Sequence, residues 1–95
     1  MTEQEINQII ATQINGWTHL EGIVYQDSQG NYCYMADYCN SIAHALDLAK
    51  AYQIGLTPHE TGWQAYSVAN SEINVNDVVA PKAICLCLLA IKEIN

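Results

Sequence analysis

Ile6, Ile9, Ile10 and Ile14 recur along the first turns of the chain at the spacing of one helical face, with mostly polar residues between them. Thr2 and Glu5 form the T-x-x-E pattern of a capping box, in which hydroxyl and carboxylate satisfy the exposed amides of a helix start. Gly16 is placed to stop that helix in a left-handed conformation. The pattern predicts a helix over residues 3–15, with Trp17 folding back onto the core.

The period then changes. Residues 22–35, GIVYQDSQGNYCYM, read as a hairpin whose turn lies in Asp27-Ser28-Gln29-Gly30. On its second strand Tyr32 and Tyr34 point one way and Cys33 and Met35 the other, so one face meets helices and the other meets water. Asn40 is the expected N-cap of a second helix over residues 41–53, lined by Ile42, Ala45, Leu46, Ala49 and Tyr52 and followed by Gly55. Pro58 and Gly62 mark residues 56–62 as loop. Residues 63–69 and 72–76 have the length and alternation of two strands.

The closing stretch, VVAPKAICLCLLAIKEI, is apolar on nearly every side. Pro81 suits a first helical turn, so the helix is expected over residues 81–93. At 1.5 Å per residue it reaches roughly 20 Å, too short for ~30 Å of hydrocarbon. It is read as a core helix, and no membrane is expected as a partner. The element order is therefore α-β-β-α-β-β-α, in a chain of 95 residues that makes a single domain, 1–95.

Hydrophobic residues make up 51% of the chain and charged ones 14%, which argues for a packed core over disorder. The net charge of −7, with three lysines and no arginine, excludes ordinary binding to a nucleic-acid backbone. It favours a basic protein surface as partner, and equally it keeps a half-apolar domain soluble. MTEQEINQII has neither the basic nor the long apolar region of a secretory signal, so the expected location is the cytoplasm. Cys33, Cys39, Cys85 and Cys87 are then read as reduced thiols.

Few residues suggest chemistry. Cys85 and Cys87, two apart on a helix, diverge too far to share an ion. Cys33, Cys39 and His44 match no standard zinc spacing and lack a fourth ligand. Cys39 lies near a helix start, where a thiol pKa can fall, yet no base is reliably placed beside it. No glycine-rich phosphate loop is present. Neither a metal nor a cofactor is expected. Six tyrosines and two tryptophans, with no phenylalanine, divide between core and recognition surface.

Ala80-Pro81-Lys82-Ala83-Ile84-Cys85-Leu86 is similar to the A-P-x-A-I-C-L signature of the phage ABA-sandwich domain family. Residues 38–46, YCNSIAHAL, resemble that family's Y-S-T-D-I-A-A-A-W helix start, and Ile6 to Trp17 resembles its first helix. Trp63 resembles its strand tryptophan, while Ser41 and Leu46 stand where the family has an acidic residue and a tryptophan. The resemblance implies an α+β fold in which helices sandwich a small antiparallel sheet of three or four strands. It also implies a phage or prophage origin and no catalytic residues.

The function expected is that of a non-enzymatic phage accessory protein that binds and inhibits a host antiphage-defence protein, in the manner of an anti-CRISPR. The candidate contacts are Glu21, Asp27 and Asp37 for steering, with Tyr25, Tyr32, Tyr34 and Tyr38 as anchors. The alternative is a sponge for a host cyclic nucleotide, stacking bases on aromatic rings and working as a homo-oligomer. An enzyme is not expected, because no nucleophile, base and orienting group assemble from the sequence.

Overall fold

In the computed structural model, which describes residues 1–94, helix α1 (Glu3–Ile9) begins at the expected capping box. Thr2 Oγ1 accepts from the Glu5 amide at 3.1 Å, and Glu5 Oε1 accepts from the Thr2 amide at 3.2 Å. The helical segment continues as far as the isoleucine pattern suggests, but residues Ile10–Ile14 are wound as a π-helix. There the Asn15 amide bonds the carbonyl of Ile10 at 2.9 Å, five residues back. Gly16 ends the segment at φ 74°, in the left-handed region.

The chain divides into two compact units, Met1–Asp37 and the remainder from Tyr38 onward. The first unit holds three antiparallel strands in the order β1-β2-β3: β1 (Thr18–Glu21), β2 (Val24–Gln26) and β3 (Tyr32–Tyr34). β2 and β3 form the expected hairpin, with Gly30 donating to the Asp27 carbonyl at 3.1 Å across the turn. β1 is an addition to the expected order. Its four residues are all exposed, so THLE carries no alternation of burial to announce a strand.

The second unit opens with α2 (Ile42–Tyr52). Its N-cap is Ser41, one residue later than expected: Ser41 is the extended residue at the helix start, and its Oγ accepts from the His44 amide at 3.4 Å. Gln53, at φ 55°, takes the left-handed position that closes the helix, and Gly55 has another task. The expected loop 56–62 is largely strand. β4 (Ile54–His59) pairs with β5 (Gly62–Ser67), which pairs with β6 (Asn74–Asp77). Pro58 is tolerated because β4 is an edge strand, where a missing amide leaves no ladder bond unmade. Gly55 lies opposite Tyr66, and a Cβ built there would overlap the tyrosine ring.

Helix α3 (Ala80–Ile91) starts with Pro81 in its first turn and buries Ala83, Ile84, Cys85, Cys87, Leu88 and Leu89. It packs against α2 on one side and the β4-β5-β6 sheet on another. Ala45, Leu48 and Ala49 of α2, with Ile54 and Ala65 of the sheet, complete this core. The fold is α+β, in the order α-β-β-β-α-β-β-β-α, with two three-stranded antiparallel sheets in place of the one expected. Among the described residues no helix is long and apolar enough to cross a membrane.

Candidate functional site: the tyrosine-bearing sheet of the first unit

Strand alternation sorts the aromatic residues of the first sheet. Tyr25 stands opposite Cys33 and His19, so these three share one face. Val24 opposite Tyr34, and Gln26 opposite Tyr32 and Thr18, occupy the other. Tyr25 is 1% exposed, and its ring centroid lies 4.8 Å from that of His19 and 6.3 Å from that of Trp17. Its hydroxyl is 3.6 Å from Met35 Sδ. Tyr32 and Tyr34 are 72% and 68% exposed, on the face turned to water.

The seven candidate residues therefore separate. Tyr32 and Tyr34 come together on one surface, and Glu21 is exposed at the end of β1. Tyr25 and Tyr38 do not join them, because both are core residues; Tyr38, 5% exposed, sits edge-on to the His44 ring. A tyrosine buried to that degree has no surface left to anchor a partner. Asp27 is occupied within its own turn, where Oδ1 accepts from the Gln29 and Asn31 amides, each at 2.9 Å. The Asn31 amide chiefly, helped by that of Gln29, holds this carboxyl below the usual carboxylate range. Asp27 thus shapes the hairpin that carries the tyrosines. Asp37 is exposed and accepts from the side chain of Asn7 at 3.0 Å.

Charge is unevenly divided. The first unit contains Glu3, Glu5, Glu21, Asp27 and Asp37 and neither lysine nor arginine; Lys50, Lys82 and Lys92 all belong to the second. The exposed tyrosines thus stand in a unit that carries five acidic side chains and no lysine or arginine to offset them.

Each unit also has an open cavity. In the first, about 350 Å³ lies among Glu5, Ile9, Thr12, His19 and Tyr25. In the second, about 240 Å³ lies beside Trp63, His59, Asn76 and Asp77. Each is lined by one carboxylate and no lysine, a poor setting for a phosphate.

None of the four cysteines forms a disulfide. Cys39, Cys85 and Cys87 are fully buried, and burial pushes the Cys87 thiol up, towards its neutral form. His44 Nδ1 lies 2.8 Å from Ser41 Oγ at the start of α2. Among the described residues no three His, Cys, Asp or Glu side chains converge as a metal site. What the sequence did not single out is the company of the tyrosines, Thr18, Val24 and Gln26, because it depends on the pairing register and on a strand that carries no burial pattern.

No family model matches the chain, and no curated protein matches it. Among solved structures it is similar to the crystal structure of a phage protein from Bacillus cereus ATCC 14579, with a TM-score of 0.78 and 21% identity. The likeness covers 100% of this chain and 91% of that one. At that identity the fold is what the two proteins share. The chain has the fold of a small phage protein.

Proposed function

We propose that this protein is a non-enzymatic phage accessory protein of the ABA-sandwich type that binds and inhibits a host antiphage-defence protein inside the bacterial cell. One observation carries the reading: Tyr32 and Tyr34 are side by side and largely exposed in a unit with five carboxylates and no lysine or arginine. Tyrosine gives a large apolar body with a polar tip, the composition of a binding anchor. The carboxylates supply a field that draws in a basic surface, of the kind that nucleic-acid-handling defence proteins present. The phage-protein fold supports the biological setting. The cyclic-nucleotide sponge is the weaker reading, since neither cavity offers a lysine to a phosphate.

The test compares the tagged protein and its Tyr32→Ala/Tyr34→Ala variant, each recovered from a defence-proficient bacterial lysate and weighed by native mass spectrometry. A stoichiometric host protein is expected on the parent and not on the variant, since losing a central tyrosine anchor costs about 2 kcal/mol or more. A complex that survives the double substitution removes this face from the reading. A small-molecule adduct on an oligomer supports the sponge, and a bare monomer overturns both.

A further inference from the structure

We propose that the outer edge of β3 binds an extended, lysine- or arginine-bearing segment of the partner protein by antiparallel strand addition, with the basic side chains set beside Tyr32 and Tyr34. This rests on the tyrosine face being a protein-binding surface, and it states how the partner is held.

β3 is the last strand in the order β1-β2-β3, so among the described residues one of its sides has no neighbouring strand. Cys33 pairs with Tyr25, and bonds of 2.9 Å from Asp27 N to Asn31 O and from Met35 N to Ile23 O flank that pair. Residues 31, 33 and 35 therefore turn their backbone groups towards β2. In an antiparallel ladder the alternate residues face the other way, so Tyr32 and Tyr34 present two amides and two carbonyls to the open side.

The other sheet edges carry a proline, a terminal charge or a bulge; β3, although only three residues long, carries none of these. β1 has an irregular register between His19 and Glu21 and ends on a charge. β4 contains Pro58, and β6 ends on Asp77. β3 reads Tyr-Cys-Tyr, without proline, charge or bulge.

The identity of the occupant follows from register and charge. Residues paired directly across a ladder share a face, so positions opposite Tyr32 and Tyr34 are two apart on the incoming segment. Basic side chains at those alternate positions lie beside the phenol rings, in cation–π reach and within the field of the carboxylates. A second copy of β3 would bring a second acidic unit against the first, and is disfavoured for that reason.

The test is an NMR titration of the ¹⁵N-labelled full chain with a short, end-capped peptide alternating Thr and Lys. The Tyr32 and Tyr34 amides are expected to shift and to exchange more slowly with solvent. N-methylating the peptide at its Lys amides should weaken binding at least tenfold, since it removes the donors to the Tyr32 and Tyr34 carbonyls and sets methyl groups against the β3 edge. Methylation at the Thr amides should leave it unchanged, and a Thr/Glu peptide should not bind. Unaltered exchange at Tyr32 and Tyr34, or equal binding of both methylated peptides, overturns strand addition. Loss on Thr methylation instead overturns the placement of the basic side chains beside the tyrosines. A host protein lost from the tyrosine-pair variant, together with peptide binding indifferent to methylation, sinks this inference and leaves the proposed function standing.

Discussion

Gly55→Ala puts one methyl group where the ring of Tyr66 now lies. The glycine's backbone is not left-handed, so alanine meets no conformational strain there and the whole penalty is steric. The nearest atoms are Cζ and Oη of Tyr66, the far end of its side chain, so the ring must swing off the strand and lose its packing. Overpacking of this kind costs about 1–3 kcal/mol. Replacing glycine by alanine within a strand returns roughly 0.5–1 kcal/mol. The net expectation is a destabilisation of about 1 kcal/mol, within a range of about 0–2.5 kcal/mol, or several degrees in Tm at ~4–8 °C per kcal/mol for a domain of this size. Tyr66→Ala removes the obstacle, so in that background Gly55→Ala should stabilise by about 0.5–1 kcal/mol. Urea unfolding of the four proteins, followed by far-UV circular dichroism, measures the coupling directly. If Gly55→Ala has the same sign in both backgrounds, the close approach of ring and backbone is not what holds this position as glycine.

Three further outcomes are expected. Leu88→Asp should leave the chain unfolded or aggregated, because a charge at a fully buried position costs several kcal/mol of a total of ~5–15; a cooperative unfolding transition in this variant would contradict the placement of α3. Ellman's reagent should modify Cys33 first in the native protein and reach Cys39, Cys85 and Cys87 only on denaturation; rapid loss of two or more thiols would show that the burial is wrong. The Asp27 carboxyl titrates lower in the folded chain than in the unfolded one. Its contribution to the turn is therefore complete above the unfolded value of about 3.9 and lost as the pH falls through the lower folded value. The Gln29 and Asn31 amide shifts should follow that midpoint, and one at or above about 3.9 would refute the two bonds to its carboxylate.

The sequence revealed elements wherever one local rule acted alone. The T-x-x-E box, the isoleucine face and Pro81 each marked a helix start or course that the structure repeats. The signals failed where pairing overrode local preference. Pro58 reads as a loop residue, yet an edge position makes it a strand residue. Thr18–Glu21 is a strand by its pairing with β2 and has no buried side to betray it. The π-helical turn at Ile10–Ile14 had no marker in the isoleucine spacing, which suits an α-helix as well. For the candidate site, alternation correctly separated Tyr32 and Tyr34 from Cys33, but composition could not say which tyrosines were core. That depends on register for Tyr25 and on the surroundings of the α2 start for Tyr38.

The confinement of every lysine to the second unit has a practical corollary. Amine-reactive dyes, biotin esters and cross-linkers directed at lysine reach Lys50, Lys82 and Lys92 and leave residues 2–37 without a side-chain amine to modify. A sensor chip coupled through those lysines therefore places no covalent attachment on the tyrosine-bearing sheet. Trypsin likewise has no cleavage site before Lys50, so a digest returns the whole first unit and the start of the second, residues 1–50, as one long peptide.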